Sequence, residues 1–427
     1  MFLNKFLILG ILLILQSCAK EPKKIEKIDF LCEECQSEQR IQTKEESGQK
    51  ESKKKDIQQD IAEPKAPAKK PLIFEYDALK EELNVRTYEE MFDKAMQFYS
   101  NGEIETAVKI FRVLVDNSPN KEYREVVMFN LAIGIERLGN ENEALKIYES
   151  LTASENYDIK EDSVLRSTRI KLAQGKEVKI NPAEFSDERR KRFAQTILLL
   201  DKTEKILGEL LNKTQSLGIL NNTNSELKET KSSKELKKQV ESIWSEINKI
   251  LINPTEENET KTILYLCRGN IQFIEAILIP NDNAENIKKK VRKLIEAQRE
   301  YFSAVKERHP WWMTAGVFKI GETYRYLFED ITSSPIPKEL RTEEEKQIYI
   351  AELLKEIKRA LDLAQNIYEK NINFSQRTKM KTVWITRSEE EIGKIKHYTE
   401  LVQKFIESIE NEGKFGIDIK ETEHSPQ

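Results

Sequence analysis

The sequence predicts an all-α protein: helical hairpins stacked into a curved solenoid, preceded by a signal peptide and a disordered tether. Three observations carry that expectation. Glycine is scarce, 14 in 427 residues, while Glu, Lys, Leu and Ile recur on helical faces. Past residue 73, apolar residues repeat at helical spacing, the period of an element with one buried face. Two stretches, "NGEIETAVKIFRVLVDNSP" and "LGNENEALKIYESL", align without gaps, and such self-similarity marks stacked repeats.

The chain opens with a short positive region at Lys5 and an apolar run from Phe6 to Leu15, interrupted only by Gly10. A bilayer-spanning helix needs about 20 apolar residues, so this run is too short to cross. It has the length of a signal-peptide core, and residues 1–17 are expected to be removed. Leu15-Gln16-Ser17-Cys18, followed by Ala19, resembles a bacterial lipobox. That resemblance implies that Cys18 is acylated, exposed by cleavage and acylated again with fatty acid such as palmitate. Ala19, in place of Asp, implies the outer membrane, with the protein facing the periplasm.

Residues 18–72 then read as a tether. They are rich in Lys, Glu, Gln and Ser and broken by Pro64, Pro67 and Pro71, a composition that buries too little surface to offset ordering entropy. Fully extended, it reaches on the order of 150 Å at roughly 3.3 Å per residue. Within it, Cys32 and Cys35 form a C-x-x-C. No βαβ pattern surrounds them, as a thioredoxin-like motif requires, and no nearby His or Cys completes a zinc site. A disulfide, structural or incidental, is the expectation in an oxidising compartment. Cys267, in the apolar stretch "TILYLCRGNIQF", reads as a small buried hydrophobe.

Residues 73–180 carry the repeat. Gly102 aligns with Gly139, Ala107 with Ala144, Phe111 with Tyr148, and in the preceding helices Ala95 aligns with Ala132. A small residue lets two helices approach closely, the aromatic one turn later fills the groove beside it, and glycine permits the tight turn. Pro119 stops the first unit. This small-x3-aromatic signature resembles the tetratricopeptide repeat, although the period is slightly longer than the usual ~34 residues. The resemblance implies hairpins that present a concave surface to a peptide or protein.

Residues 181–256 lack the signature but show two apolar stripes. One runs through Phe193, Ile197, Leu200, Leu207 and Leu211; the other runs through Leu236, Val240, Ile243, Trp244 and Ile247. They predict a long helical pair, with Ser216 to Glu235 as the loop between. Residues 257–412 hold degenerate repeats: Ala297 and Tyr301 repeat the second-helix pattern, Gly321 a first helix, and Ala364 with Tyr368 its partner. Pro335 and Pro337 forbid helix between them. Thr87 with Glu90, Thr342 with Glu345 and Ser388 with Glu391 predict capping boxes at helix starts. Residues 413–427 form a polar tail. The run from "HPWWMTAGVFKIGETYRYLFEDI" onward resembles a segment of envelope tetratricopeptide proteins of gliding and predatory deltaproteobacteria. That resemblance implies a role in an envelope-spanning or motility-linked assembly.

No chemistry stands out. A formal charge of -4 with 34% charged residues gives no electrostatic footprint for nucleic acid. His309, His397 and His424 sit in unrelated contexts, and no G-x-S-x-G occurs. "GIERLGN" has phosphate-loop spacing but lacks the Lys, and no metal or cofactor set is visible. The expectation is a non-enzymatic scaffold. Candidate partner-binding residues are Trp311, Trp312, Tyr324 and Tyr326 of a dense aromatic cluster, and Pro335 and Pro337 of the P-x-P loop. Inter-helix core is the competing reading of the cluster. The expected partners are envelope proteins, with the membrane engaged only through the lipid. The alternative is a lipoprotein that binds peptidoglycan or regulates a cell-wall enzyme. Exposed aromatics and amides in a groove favour glycan; apolar pockets with Asn and Arg clamps favour peptide.

Overall fold

The structure, a computed structural model, describes residues 72–74, 85–214, 231–251, 258–334, 336–337, 339–378 and 380–411. The signal segment, Cys18, Cys32, Cys35, Pro335 and the polar tail lie outside the described residues. The described residues form two compact units, one of residues 72–197 with 374–383 and one of residues 198–373 with 384–411. The break therefore falls inside a helix. One short strand pair departs from an all-helical chain: β1 (Leu72–Phe74) runs antiparallel to β2 (Val85–Thr87), with Ile73 opposite Arg86. Both segments are rich in β-forming residues.

In the first unit α1 (Tyr88–Ser100), α2 (Ile104–Asp116), α3 (Lys121–Arg137), α4 (Glu141–Leu151) and α5 (Tyr157–Ala173) follow in order. Each packs on the next, and α3 also packs on α5. Thr87 and Glu90 close a reciprocal capping box at the start of α1, so the chain enters the first helix at a defined residue. Gly102 and Gly139 both take φ 82°, which an L side chain adopts only with strain. They end α1 and α3 with the same pattern, Glu103 N–H donating to Phe98 O at 2.9 Å and Asn140 N–H to Ile135 O at 3.1 Å. Ala95, Ala107, Phe111, Ala132, Ala144 and Tyr148 are all 0% exposed. These small and aromatic residues are the interlocking surface of the hairpins.

A third copy of the turn escaped the sequence reading. Gly175 takes φ 70° and Lys176 N–H donates to Lys171 O at 2.9 Å, so α5 ends as α1 and α3 do. The next helix does not follow directly, as α2 and α4 do. The chain instead runs through a 3-10 turn at Pro182–Glu184 into α6 (Glu188–Thr214). Arg190 of α6 reaches back to Asp158 at 2.8 Å, Asp162 at 2.9 Å and Glu161 at 3.2 Å of α5. That ionic clamp ties the first turn of α6 to α5. The segment 374–383 completes the unit. Its Val383 N–H donates to Glu141 Oε1 at 3.1 Å, capping a helix from a carboxylate that is 7% exposed.

The second unit contains the rest of α6 with α7 (Lys231–Leu251), α8 (Asn258–Ile277), α9 (Ala284–Lys306), α10 (Pro310–Thr332), α11 (Glu343–Thr378) and α12 (Val383–Asn411). α7 begins inside the stretch expected as loop. Asn283 caps α9 by accepting from Asn286 N–H at 2.9 Å, and Thr342 and Glu345 cap α11 as expected, at 3.0 and 3.1 Å. Ser388 does not start a helix. It lies within α12, donating to Trp384 O at 2.7 Å and accepting from Asn371 at 3.0 Å; a buried partner outweighs its capping preference.

Two glycines set the spacing here. The ring of Tyr301 lies over Gly269, and that of Tyr368 over Gly321. They pair α8 with α9 and α10 with α11 as hairpins with longer helices than those of the first unit. Gly269 was invisible as a repeat position, because the longer helices place it far from Ala297 in sequence.

Gly321→Ala tests this contact. Its methyl would sit 2.5 Å from the Tyr368 ring. Helix propensity favours Ala by about 1 kcal/mol, but overpacking costs about 1–3 kcal/mol, so urea denaturation should show net destabilisation. A stabilised variant would contradict the packing. Glu141 gives a pH test. Burial raises its pKa above the ordinary carboxylate value of 4.5, and the Val383 N–H offsets only part of that rise. The folded state therefore holds this proton more tightly than the unfolded chain. The stabilisation is full below the ordinary value and is lost as pH rises through the raised one. Glu141→Gln should gain on the parent chain as denaturation is moved from about pH 4.5 to about pH 7.5.

Candidate functional site: a charged central helix and an apolar inner face

Every residue of α10 from Trp311 to Thr332 is buried. Trp311, Trp312, Tyr324 and Tyr326 are 6, 0, 3 and 0% exposed, so none offers a ring to a partner in this structure. The Trp311 and Trp312 rings meet edge-on at 4.5 Å, and Trp312 Nε1–H donates to Glu259 Oε1 at 2.9 Å. The Tyr326 ring packs on Phe273 at 5.1 Å. The aromatic cluster is core, because α10 is enclosed by other helices on all its faces. Pro337 is half-buried, and Ile336 beside it is 37% exposed.

The same helix buries five charged side chains, and each has a partner. Lys319 reaches Glu204 at 2.8 Å and Glu322 at 3.0 Å. Arg325 contacts Glu329 at 2.5 Å and Glu391 of α12 at 2.7 Å. Asp330 meets Lys290 of α9 at 2.8 Å and accepts from Tyr326 Oη at 2.9 Å. Tyr398 of α12 donates to Glu329 at 3.0 Å. Burial holds the Lys290 pKa below its ordinary value, with Asp330 opposing the shift. The network continues through Asn270, which donates to Glu204 at 2.8 Å and accepts from Tyr301 Oη at 2.8 Å. These groups bind one another, an arrangement that orders helices rather than awaiting a substrate.

In the first unit α1, α3 and α5 form an inner row. The Tyr88 and Tyr123 rings meet edge-on at 6.2 Å across α1 and α3, and Arg137 lies 5.3 Å over the Tyr99 ring. Arg166 of α5 lies 5.7 Å over the Phe129 ring of α3. The outer row is tied by Arg112 of α2 and Glu143 of α4 at 2.7 Å. On the inner row Met96 and Val126 are each 38% exposed, and Tyr99, Phe129 and Ile133 are half-buried. Asn130 stands among them and donates to Val126 O at 2.9 Å. The sequence reading missed this face, although its signal was present. Phe92 aligns with Phe129 and Met96 with Ile133 in the gapless alignment, apolar repeats that the hairpin signature does not use.

Small residues under aromatic rings thus join successive helices into hairpins in both units. The fold is tetratricopeptide-like. No protein-family model matches the chain, and no curated protein matches it. Among solved structures, the crystal structure of yeast Tom70 matches with 12% identity and a TM-score of 0.25, covering 78% of this chain and 97% of that one. The description of the fold rests on the helix packing itself.

Among the described residues, no group of three His, Cys, Asp or Glu is placed to hold a metal ion. Cys267 is fully buried, and burial pushes its thiol well above the ordinary range, which suits packing rather than nucleophilic attack. His309 caps α10, accepting from Trp312 N–H at 3.4 Å.

The charged core predicts a large penalty for losing one cation. Arg325→Met would remove the cation shared by Glu329 and Glu391, leaving them only Tyr398 and Lys394 respectively, and breaking a buried pair costs about 3–5 kcal/mol. Adding Glu329→Gln and Glu391→Gln to it should recover part of that loss in urea denaturation. Full additivity would show that these groups do not act as a unit.

Proposed function

We propose that this protein is a lipid-anchored periplasmic scaffold that grips a segment of another envelope protein on the inner face of α1 and α3. The observation that carries this reading is the exposure of two apolar residues, Met96 on α1 and Val126 on α3, on helices that also carry half-buried Tyr99, Phe129 and Ile133. Arg137 and Arg166 lie over two of those rings. Apolar contact area with Arg and Asn at its edge suits an amphipathic peptide. A sugar polymer is better served by open aromatic planes, whereas Tyr99 and Phe129 are half-buried with Arg137 and Arg166 over their rings. A tetratricopeptide-like array presents such a surface as a preformed support, so little of the binding energy goes to ordering the scaffold.

Anchoring at Cys18, outer-membrane placement and a part in a motility-linked or outer-membrane assembly complete the proposal. The lipobox resemblance and the tether composition support the first two. The likeness of the α10–α11 run to deltaproteobacterial envelope proteins supports the third. A non-enzymatic role fits a charged core whose members are occupied by one another.

A photo-crosslinking residue at Met96 or Val126, in lipidated protein in its native host, tests the reading. The expected outcome is one reproducible protein adduct, with binding weakened at least about tenfold by Val126→Asp, the scale of an interface anchor. Circular dichroism should show the variant still folded. Co-sedimentation with purified sacculi, and no adduct, would overturn the protein-scaffold reading in favour of glycan.

A further inference from the structure

We propose that the exposed face of α9 is a docking surface for an anionic phospholipid bilayer. The chain carries a formal charge of -4, yet α9 contains seven Lys or Arg against three Glu. Placement sharpens the contrast. Lys288, Arg292, Ile295, Arg299, Phe302 and Lys306 succeed one another at steps of three or four residues, so they form one line along the helix. The four cations are exposed and the two apolar residues half-buried. The opposite face, with Ile287, Val291, Leu294, Tyr301 and Val305, is buried against the hairpin core.

Between Lys288 and Lys306 no Asp or Glu stands on that line; exposed Glu285 lies one turn before it. Glu296 lies to one side and is held by Lys293 at 3.0 Å. Lys306 lies 4.8 Å over the Phe302 ring, so this cation and its apolar neighbour form one amphipathic spot. The line from Lys288 to Lys306 is about 27 Å long at about 1.5 Å per residue. Its chemistry is that of an interfacial helix: cations for phosphate headgroups, and apolar groups that enter just below them while long basic stems reach back to the surface. An acidic protein would call for pockets in a matching register; a fluid headgroup layer asks only for a straight charged edge. Among the described residues no helix is long and apolar enough to cross a membrane, so this contact is peripheral. A basic surface adds an attachment of a different kind from an acyl anchor, one that fixes which face of the folded part meets the headgroups. The α9 face would therefore set the orientation of the folded part towards the membrane, whatever the tether alone permits.

Vesicle flotation of the full-length chain tests this. Phosphatidylcholine vesicles and vesicles with about one-third phosphatidylglycerol are compared, so that affinity from the N-terminal segment is common to both. Partitioning should be higher on the anionic vesicles, and that excess should fall at high salt. Lys288→Glu, Arg292→Glu and Lys306→Glu together should lower it on the order of a hundredfold, roughly fivefold for each cation. The charge-conserving set Lys288→Arg, Arg292→Lys and Lys306→Arg should retain it. Far-ultraviolet circular dichroism of each variant shows whether it has folded, and Ile295→Ser serves as a milder substitution that leaves the charges in place and should reduce the excess. Equal partitioning on both vesicle types, or an excess unchanged in the folded charge-reversal variant, overturns the proposal. Recovery of an acidic protein through this face without any vesicle preference overturns it too.

Discussion

The second unit depends on one constraint: α10 is enclosed along its length while carrying five charged residues. A buried ion without a partner costs several kcal/mol, so each charge dictates where another helix must lie. Lys319 calls α6 to its side through Glu204, Arg325 calls α12 through Glu391, and Asp330 calls α9 through Lys290. Hydrophobic packing alone tolerates slippage along a helix; a charged pair in a dry interior tolerates almost none. The aromatic contacts of Phe273, Tyr368 and Trp384 against α10 fill the space between these fixed points.

The first unit uses a lighter version of the same logic. Its hairpins are set by alanines beneath Phe111 and Tyr148, and a deep ionic contact joins Glu136 of α3 to Arg169 of α5, with Tyr148 Oη donating to Glu136 at 2.9 Å. Ionic work is concentrated between helices that are not hairpin partners. Partners are already held in register by the short turns at Gly102 and Gly139, and non-partners lack that covalent restraint. The Arg190 clamp on α5 follows the same rule at the point where the repeat pattern ends.

The two proposed binding surfaces lie where these cores leave helices uncovered. The inner face of α1 and α3 offers apolar area with arginines at its edge, and the outer face of α9 offers cations with apolar residues between them. The two proposals differ in what would be recognised: a shaped partner for the first, a charged fluid layer for the second. Both are built on helices whose opposite sides are locked in the core, so neither must be ordered at the moment of contact.

Much of this was legible in the residues themselves. Helix period, the small-x3-aromatic spacing, the glycine turns and the Thr87 and Thr342 caps are local features, and local steric and hydrogen-bonding preferences decide them. What the tertiary structure decided is which faces those helices hide. Trp311, Trp312, Tyr324 and Tyr326 carry the composition of a binding surface, but α10 is surrounded, and burial is a property of neighbours rather than of a helix. Ser388 has the chemistry of a cap, yet a buried bond to Asn371 keeps it inside α12. Gly269 is an ordinary residue in its own stretch and gains meaning only when the Tyr301 ring lies over it. The sequence by itself determined the helices, their ends and their pairing signals, because these arise within a few residues. Exposure, charge partnership and therefore the candidate surfaces came only with the fold, because they arise between residues as distant as Glu204 and Lys319.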